Sequence, residues 1–291
     1  MGVALLSGCG IAKPVPSVVS EAAPTPSVVA PASTPAAWPT PSPSVDLTPE
    51  PATPVVYVPQ STPSVTSPSV TPPPVEPAKP IPPQPAGPYD CAKVKCVALT
   101  FDDGPNPATT PKLLDILKEN GVHATFFVQG NRATLNKSIV TRIAAEGHVV
   151  GNHSYSHPQF WYMDAAGIRS QITRTNTLIK KATGKRPVLL RPPYGESNPT
   201  IRSIAGQLGM AQILWSVDPL DWKDKDANTV ATRVQKMVKP GAIVLSHDLY
   251  PTTVEAYKTI IPALRAKGYV FVTVPQLLKS LKSGTSYSER L

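Results

Sequence analysis

"CVALTFDDGP", residues 96–105, runs as a short apolar strand into two adjacent aspartates and then a Gly-Pro turn. Neighbouring residues of a strand point to opposite faces, and two carboxylates side by side repel. Asp102 and Asp103 therefore need separate partners, or a break in the strand that lets both reach one place. Ending the strand at Phe101 frees both aspartates from the period-2 alternation. The turn at Gly104-Pro105 then brings them to a common site.

The pattern of a strand-like run followed by a polar cluster recurs along the chain. Strand-like runs occupy 96–101, 124–128, 148–153, 187–191, 212–217, 242–247 and 269–274. Helical patterns fill the gaps at 111–121, 137–147, 165–184, 199–209, 227–241 and 252–268, and several stop at Gly, as a left-handed C-cap requires. In "PKLLDILKENG", Leu113, Leu114, Ile116 and Leu117 form an apolar stripe at helical spacing, so they are core. Seven strands alternating with helices imply parallel β/α units, in an open doubly wound sheet or an incomplete barrel. "DDG", "NHSYSH", "RPPYG", "DPLDW" and "SHD" each follow a strand, where barrels gather catalytic groups from several strands. An open sheet would favour one crevice, and no Gly-rich phosphate loop is present. These clusters favour an α/β fold of the distorted (β/α)7 barrel type.

Composition divides the chain. Before Cys91 lie 24 of the 37 prolines, mixed with Ser, Thr, Val and Ala and without hydrophobic periodicity. Residues 11–89 read as a disordered linker with polyproline II bias, able to reach on the order of 200 Å. Residues 90–285 are long enough for one catalytic domain, and 286–291 read as a tail. Residues 1–90 carry a net charge of −3, leaving +12 on the domain out of +9 overall. A basic domain suits anionic surroundings such as an acidic wall polymer or a membrane surface, or serves solubility. No Lys/Arg run resembles a nucleic-acid arm, so nucleic acid is not an expected partner. No apolar stretch of membrane-spanning length occurs. "LLSGC", residues 5–9, matches the bacterial lipobox, with Cys9 as the lipidation site, although no basic region precedes it. Cys91 and Cys96 are placed to close a small disulfide loop in a secreted protein, with two free thiols as the alternative.

In "NHSYSHP", His153 and His157 are spaced i, i+4. In a strand the imidazoles would lie about 13 Å apart, whereas a helical turn brings them within about 6 Å. Two His and a carboxylate make a three-ligand site with open positions, the pattern of a catalytic zinc.

"TFDDGP", "HSYSH", "RPPYG", "DPLDW" and "IVLSHD" occur in the order and spacing of the five motifs of the polysaccharide deacetylase family. The chain resembles this NodB-homology group, carbohydrate esterase family 4, over about residues 94–282. It looks most like extracellular actinobacterial, chitin-active members. The resemblance implies a distorted (β/α)7 barrel and metal-dependent removal of acetyl groups from N-acetylglucosamine polymers (chitin, chito-oligosaccharide or peptidoglycan) or from acetylxylan. It implies that Asp103, His153 and His157 bind a divalent metal, Zn2+ first, with Co2+ or another transition metal as alternatives. It further implies that Asp102 is the general base oriented by Arg191, and that His247 is the general acid paired with Asp221. The Tyr194 backbone N–H would serve the oxyanion hole, and Trp222 and Leu245 would wall the acetyl pocket.

Amide hydrolysis needs these parts whatever the family: an activated water, a stabilised oxyanion and a proton for the leaving amine. His247 needs an acidic neighbour to stay protonated at neutral pH. Glu196 departs from the small residue of many relatives, so a carboxylate there alters substrate contacts. In "PQFWYM", Phe160 and Trp161 could form a sugar-stacking platform or pack a helix start. His123 and His148 fall at the opposite end of the barrel and carry no function. A 2-His-1-carboxylate iron oxygenase leaves Asp102, Arg191, His247 and Asp221 unexplained. A non-catalytic wall-binding module does not need an intact acid, base and metal set. The expected protein is a monomer, secreted or at the cell surface, with a lipid anchor and a wall-spanning linker.

Overall fold

The structure, a computed structural model, describes Gly2 and residues 89–290. The lipobox with Cys9 and the proline-rich stretch lie outside the described residues. Strand β1 (Lys95–Asp102) leads into α1 (Thr110–Glu119), β2 (Thr125–Val128), α2 (Gly130–Leu135), α3 (Lys137–Ala145), β3 (Val149–Asn152) and α4 (Ala165–Thr183). There follow β4 (Leu189–Leu190), α5 (Pro199–Gln207), β5 (Ala211–Ile213), α6 (Asp221–Asp224), α7 (Ala227–Met237) and β6 (Ile243–Val244). The chain finishes with α8 (Pro251–Ala266), β7 (Tyr269–Phe271), α9 (Val274–Leu278) and β8 (Ser286–Tyr287).

The strands form one parallel sheet in the order β6-β1-β2-β3-β4-β5-β8, and β7 also pairs with β1. The sheet curls until the chain after β5 meets β6. Val217 bridges Val244 in parallel, and Leu245 N donates to Val217 O at 2.9 Å. This is the incomplete barrel expected from the clusters. Along β1, Val97, Leu99 and Phe101 pack outward into the helix layer, while Cys96 and Ala98 face a second apolar cluster inside the sheet. In β2, Phe126 and Val128 face the helices and Phe127 faces inward. Period 2 then puts Thr100 and Asp102 on the inner face with Ala98.

β1 continues through Asp102, whose N–H donates to Ser246 O at 2.8 Å, rather than ending at Phe101. The break comes one residue later, where Asp103 takes φ 72°. The boundary drawn at residue 285 also needs correction. Ser286 and Tyr287 form β8, which pairs with β5 through Gln212↔Ser286 and Ile213↔Tyr287. Two residues with polar flanks carry no periodicity that could mark such a strand. The short helices α2, α6 and α9 escaped the pattern for the same reason. Cys91 and Cys96 are joined by a disulfide.

Leu113, Leu114, Ile116 and Leu117 are all buried on α1, as their spacing requires. Removing the Leu114 side chain leaves a cavity in a helix layer that can only partly collapse. Leu114→Ala is expected to cost about 3 kcal/mol, read as a lower urea midpoint with an unchanged m-value.

Candidate active site

At the C-terminal ends of the strands lies a cavity of about 440 Å³, lined by Asp102, Asp103, His153, His157, His247 and Asp218 among aromatic walls. Each side chain arrives there through a local device. Asp102 follows the inward alternation of β1, and the left-handed turn at Asp103 swings the second carboxylate to the same mouth.

His153 and His157 do not share a helical turn, as their spacing had suggested. They sit on a tight loop with Ser154 at φ 65° and His157 at φ 59°, which still brings the ring centroids to 4.9 Å. Asn152 organises this loop. Its Oδ1 accepts from Ser154 N at 2.7 Å, and its Nδ2 donates to Ile172 O and Asn176 Oδ1 on α4. Ser154 Oγ in turn accepts from His157 N at 3.0 Å.

The two histidines and Asp103 present ligand atoms that lie within 4.8 Å of one another. Asp103 Oδ1 is 3.5 Å from Nε2 of His153 and 3.5 Å from Nε2 of His157. His153 Nδ1 lies 2.7 Å from Arg191 O, a pure acceptor, so Nδ1 carries the proton and Nε2 offers its lone pair to the cluster. Burial and the neighbouring His153 hold the His157 imidazole below its ordinary pKa, which keeps it neutral and able to ligate. Burial pushes Asp103 upward, but its electrostatic interactions with the His153, His157 and His247 imidazoles and a hydrogen bond from Gln129 outweigh it and leave the carboxyl below its usual range. Two imidazoles and one carboxylate fit a borderline divalent cation such as zinc.

Asp102 has a different partner. Its Oδ1 accepts from Arg191 Nη1 at 2.7 Å, with both side chains buried. Arg191 also donates to Thr100 Oγ1, Ile213 O and Leu214 O, and it lies over the Phe127 ring at 4.2 Å. A third pair closes the site opposite. Asp221 is fully buried; its Oδ1 lies 2.8 Å from His247 Nδ1, and its Oδ2 accepts from His247 N and Thr253 Oγ1. Burial opposes charge on His247. The hydrogen bond and charge of Asp221, helped by Asp102 and Asp103, override it and lift the pKa to about 9.

Tyr194 adopts φ 59° in a turn that sets its ring 4.6 Å from that of His157, and Trp222 and Leu245 line the cavity as expected. Phe160 is not part of a platform. It is 1% exposed and packs with Ile168 and Ile172 in the core, while Trp161 is 61% exposed. Glu196 does not line the cavity; its Oε2 accepts from Trp161 N at 3.0 Å and ties the aromatic loop to the turn after Tyr194. The sequence reading missed Gln129, Asp218, Trp215 and Tyr250. Gln129 directly follows β2, so the rule that strand ends supply the site could have found it. Asp218 lies inside the quoted "DPLDW"; its Oδ1 accepts from Leu220 N and supports the left-handed turn before Asp221.

A larger cleft of about 520 Å³ lies at the other end of the strands, beside His148. There Ala124 N donates to His148 Nδ1, and burial together with His123 depresses that imidazole to about 4. His148 is thus a neutral, buried hydrogen-bond acceptor.

Because the folded pKa of His247 lies above the ordinary 6.5, its contribution to stability is complete below about 6.5 and is lost as pH rises through about 9. Asp221→Asn is expected to lower the His247 titration seen by ring-proton NMR. The stability deficit of this variant should shrink above pH 9. A His247 pKa that stays near 9 would rule out Asp221 as its cause.

A family model described as polysaccharide deacetylase matches residues 89–213. The chain is 46% identical over 183 residues to a peptidoglycan-N-acetylmuramic acid deacetylase, PdaC, of Bacillus subtilis, covering 63% of this chain and 38% of that protein. It is 36% identical over 203 residues to a chitooligosaccharide deacetylase of a Bradyrhizobium species, covering 65% of this chain and 93% of that one. Among solved structures, the T48 deacetylase with substrate superposes with a TM-score of 0.66 at 37% identity, over 69% of this chain and 100% of that one. The chain thus spans about two fifths of PdaC and nearly the whole of the rhizobial relative.

Proposed function

The chain belongs to the polysaccharide deacetylase family, and on that premise we propose that it hydrolyses acetamido groups on N-acetylglucosamine-containing polysaccharide, chitin-like or peptidoglycan. The observation that carries the proposal is the convergence of three differently paired carboxylates on one cavity: Asp102 with Arg191, Asp103 with two imidazoles, and Asp221 with His247. Asp103, His153 and His157 would hold a divalent ion, zinc first. Such an ion, when bound, lowers the pKa of water and polarises a carbonyl.

The remaining steps belong to the chain's own groups. Asp102, oriented by Arg191, accepts a proton from the water that attacks the acetyl carbon. The Tyr194 backbone N–H donates to the developing oxyanion. The carbon–nitrogen bond breaks as His247 Nε2 gives its proton to the departing nitrogen, yielding acetate and a free amine. An amide nitrogen leaves only once protonated, and an imidazole lifted to about 9 carries that proton at neutral pH. Leu245 and Trp222 line the cavity beside His247, where the acetyl methyl would sit, and Trp215 and Tyr250 line it as aromatics that would stack against the sugar. A cell-surface location, with a lipid at Cys9 and the proline-rich stretch as spacer, suits a polymeric wall substrate.

Acetate release from chitopentaose, peptidoglycan and acetylxylan tests the reading. Activity is expected on the N-acetylated glycans, lost with EDTA and restored by zinc or cobalt. Asp102→Asn and His247→Ala should each lower kcat by about 10²–10⁴. Full activity in either variant removes that residue from its role, and no acetate from any substrate by metal-loaded protein favours a wall-binding module.

The aromatic loop separates in the same assay. Trp161→Ala should raise KM on chitopentaose with little change on a short substrate if the exposed ring stacks a neighbouring sugar. Phe160→Ala should instead cost about 3 kcal/mol of stability, read as a lower urea midpoint. Unchanged KM for Trp161→Ala would end the platform idea.

A further inference from the structure

Below the Val217–Val244 bridge the barrel has a seam. β5 pairs with β4 and β6 with β1, and the space between them is taken by the end of the chain. On one side Thr285 O accepts from Gln212 N at 2.8 Å and Tyr287 O accepts from Leu214 N at 2.7 Å. On the other, Arg290 N donates to Gly241 O at 2.9 Å, and Glu289 bridges Ala242 in antiparallel fashion. The body is shaped to receive this segment. A Cβ at Gly241 would collide with Arg290 O, and one at Gly206 would meet Gly284 Cα at 3.2 Å. The Tyr287 ring packs against the inner apolar cluster, and its hydroxyl accepts from Lys282 N.

Leu214, held in this way, and Ile213, opposite Tyr287 in the β5–β8 register, are the residues that hold Arg191. Ile213 O accepts from Arg191 Nε at 3.0 Å and Leu214 O from Nη2 at 2.8 Å. Leu214 is therefore gripped by the end of the chain through its N–H while it orients the guanidinium through its carbonyl. β5 is three residues long; its pairing with β4 reaches only to Gln212, and the chain is next held at Ser216 and Val217, whose N–H groups donate to Ile243 O.

We propose that residues 284–290 are a positioning element for the reaction: a replaceable eighth stave that holds the Ile213 and Leu214 carbonyls, and through them sets Arg191 against Asp102. This rests on the reading of Arg191–Asp102 as the pair that orients the base. Tyr287 is the main positioning residue, since its ring anchors the segment and its carbonyl binds Leu214.

Two altered forms of the full chain test this: deletion of residues 284–291, and Tyr287→Ala combined with Arg290→Pro, which keeps the chain length but removes the anchor and the bond to Gly241. Amide hydrogen exchange is read across 188–192 beside kcat and KM on chitopentaose. Exchange should rise across 188–192 as well as 211–214, and kcat should fall about tenfold to a hundredfold with KM within about twofold. Excess synthetic peptide of residues 282–291 should restore both. If the deletion does not fold, the double variant decides. A segment that only adds stability would lower the melting temperature, leave kcat of the folded protein unchanged and leave 188–192 protected; that result overturns the proposal. Should the unaltered chain release no acetate, the proposed activity fails, while exchange at 188–192 and its reversal by peptide still decide this inference.

Discussion

The buried guanidinium of Arg191 is the constraint on which the rest depends. It is fully buried, and an arginine so placed must have its charge paired and its N–H groups occupied, or it costs several kcal/mol. Here Nε and Nη2 go to two carbonyls at the end of β5, and Nη1 is shared between Thr100 Oγ1 and Asp102 Oδ1. Thr100 in turn donates to Val244 O on β6, and the Arg191 carbonyl accepts from His153. One residue thus joins β1, β6, the end of β5 and the histidine loop. Burial lowers the Arg191 pKa and Asp102 opposes this, so the carboxylate is as necessary to the arginine as the arginine is to it.

Around that pair the site keeps like charges apart by giving each its own counterpart. Asp103 is offset by imidazoles and Gln129, and Asp221 by His247 and Thr253. The same division moves two imidazoles in opposite directions within one cavity. His157 is held down by burial and by His153, as a ligand requires; His247 is lifted by Asp221, as a proton donor requires. Groups of one type whose surroundings push their pKa values apart are how a single site supplies both roles near neutral pH.

Much of this was legible from residue order, and what was not has identifiable causes. The inward placement of Asp102 follows from strand alternation, and the alternation of apolar runs with helical stripes announced the parallel barrel. The spacing i, i+4 announced the closeness of the two histidines but not the kind of turn, because it admits more than one compact geometry and only the Asn152 bonds select the observed one. Phe160 and Trp161 are adjacent in a three-residue 3-10 turn, so one ring is core and the other faces solvent, which composition cannot resolve. Gly104 reads as a turn glycine, yet the structure supplies a tertiary reason. A Cβ there would collide with the carboxylate of Asp248, a buried group raised to about 7 by burial and hydrogen-bonded by Thr110. β8 was invisible because its pairing is between backbone groups of β5 and the chain end, which leaves no trace in side-chain pattern.

Among the described residues, left-handed φ outside glycine occurs at seven positions. Five of them, Asp103, Ser154, His157, Tyr194 and Leu220, are site residues or their immediate supports. Each costs on the order of 1 kcal/mol for an L-residue, so chance accumulation is a poor explanation. Four carry an identifiable stay: Gln129 on the Asp103 carboxylate, Asn152 on Ser154 N, Ser154 Oγ on His157 N, and Asp218 on Leu220 N. Tyr194 is held between the His157 ring and the fixed proline before it. Each turn reverses the chain just past a strand end, which returns a side chain to the mouth of the barrel instead of letting it continue into a helix. The strain and the convergence are therefore one fact. Glycine would relax these turns, but at 103, 154 and 157 it would also delete the carboxylate, hydroxyl or imidazole that the turn places.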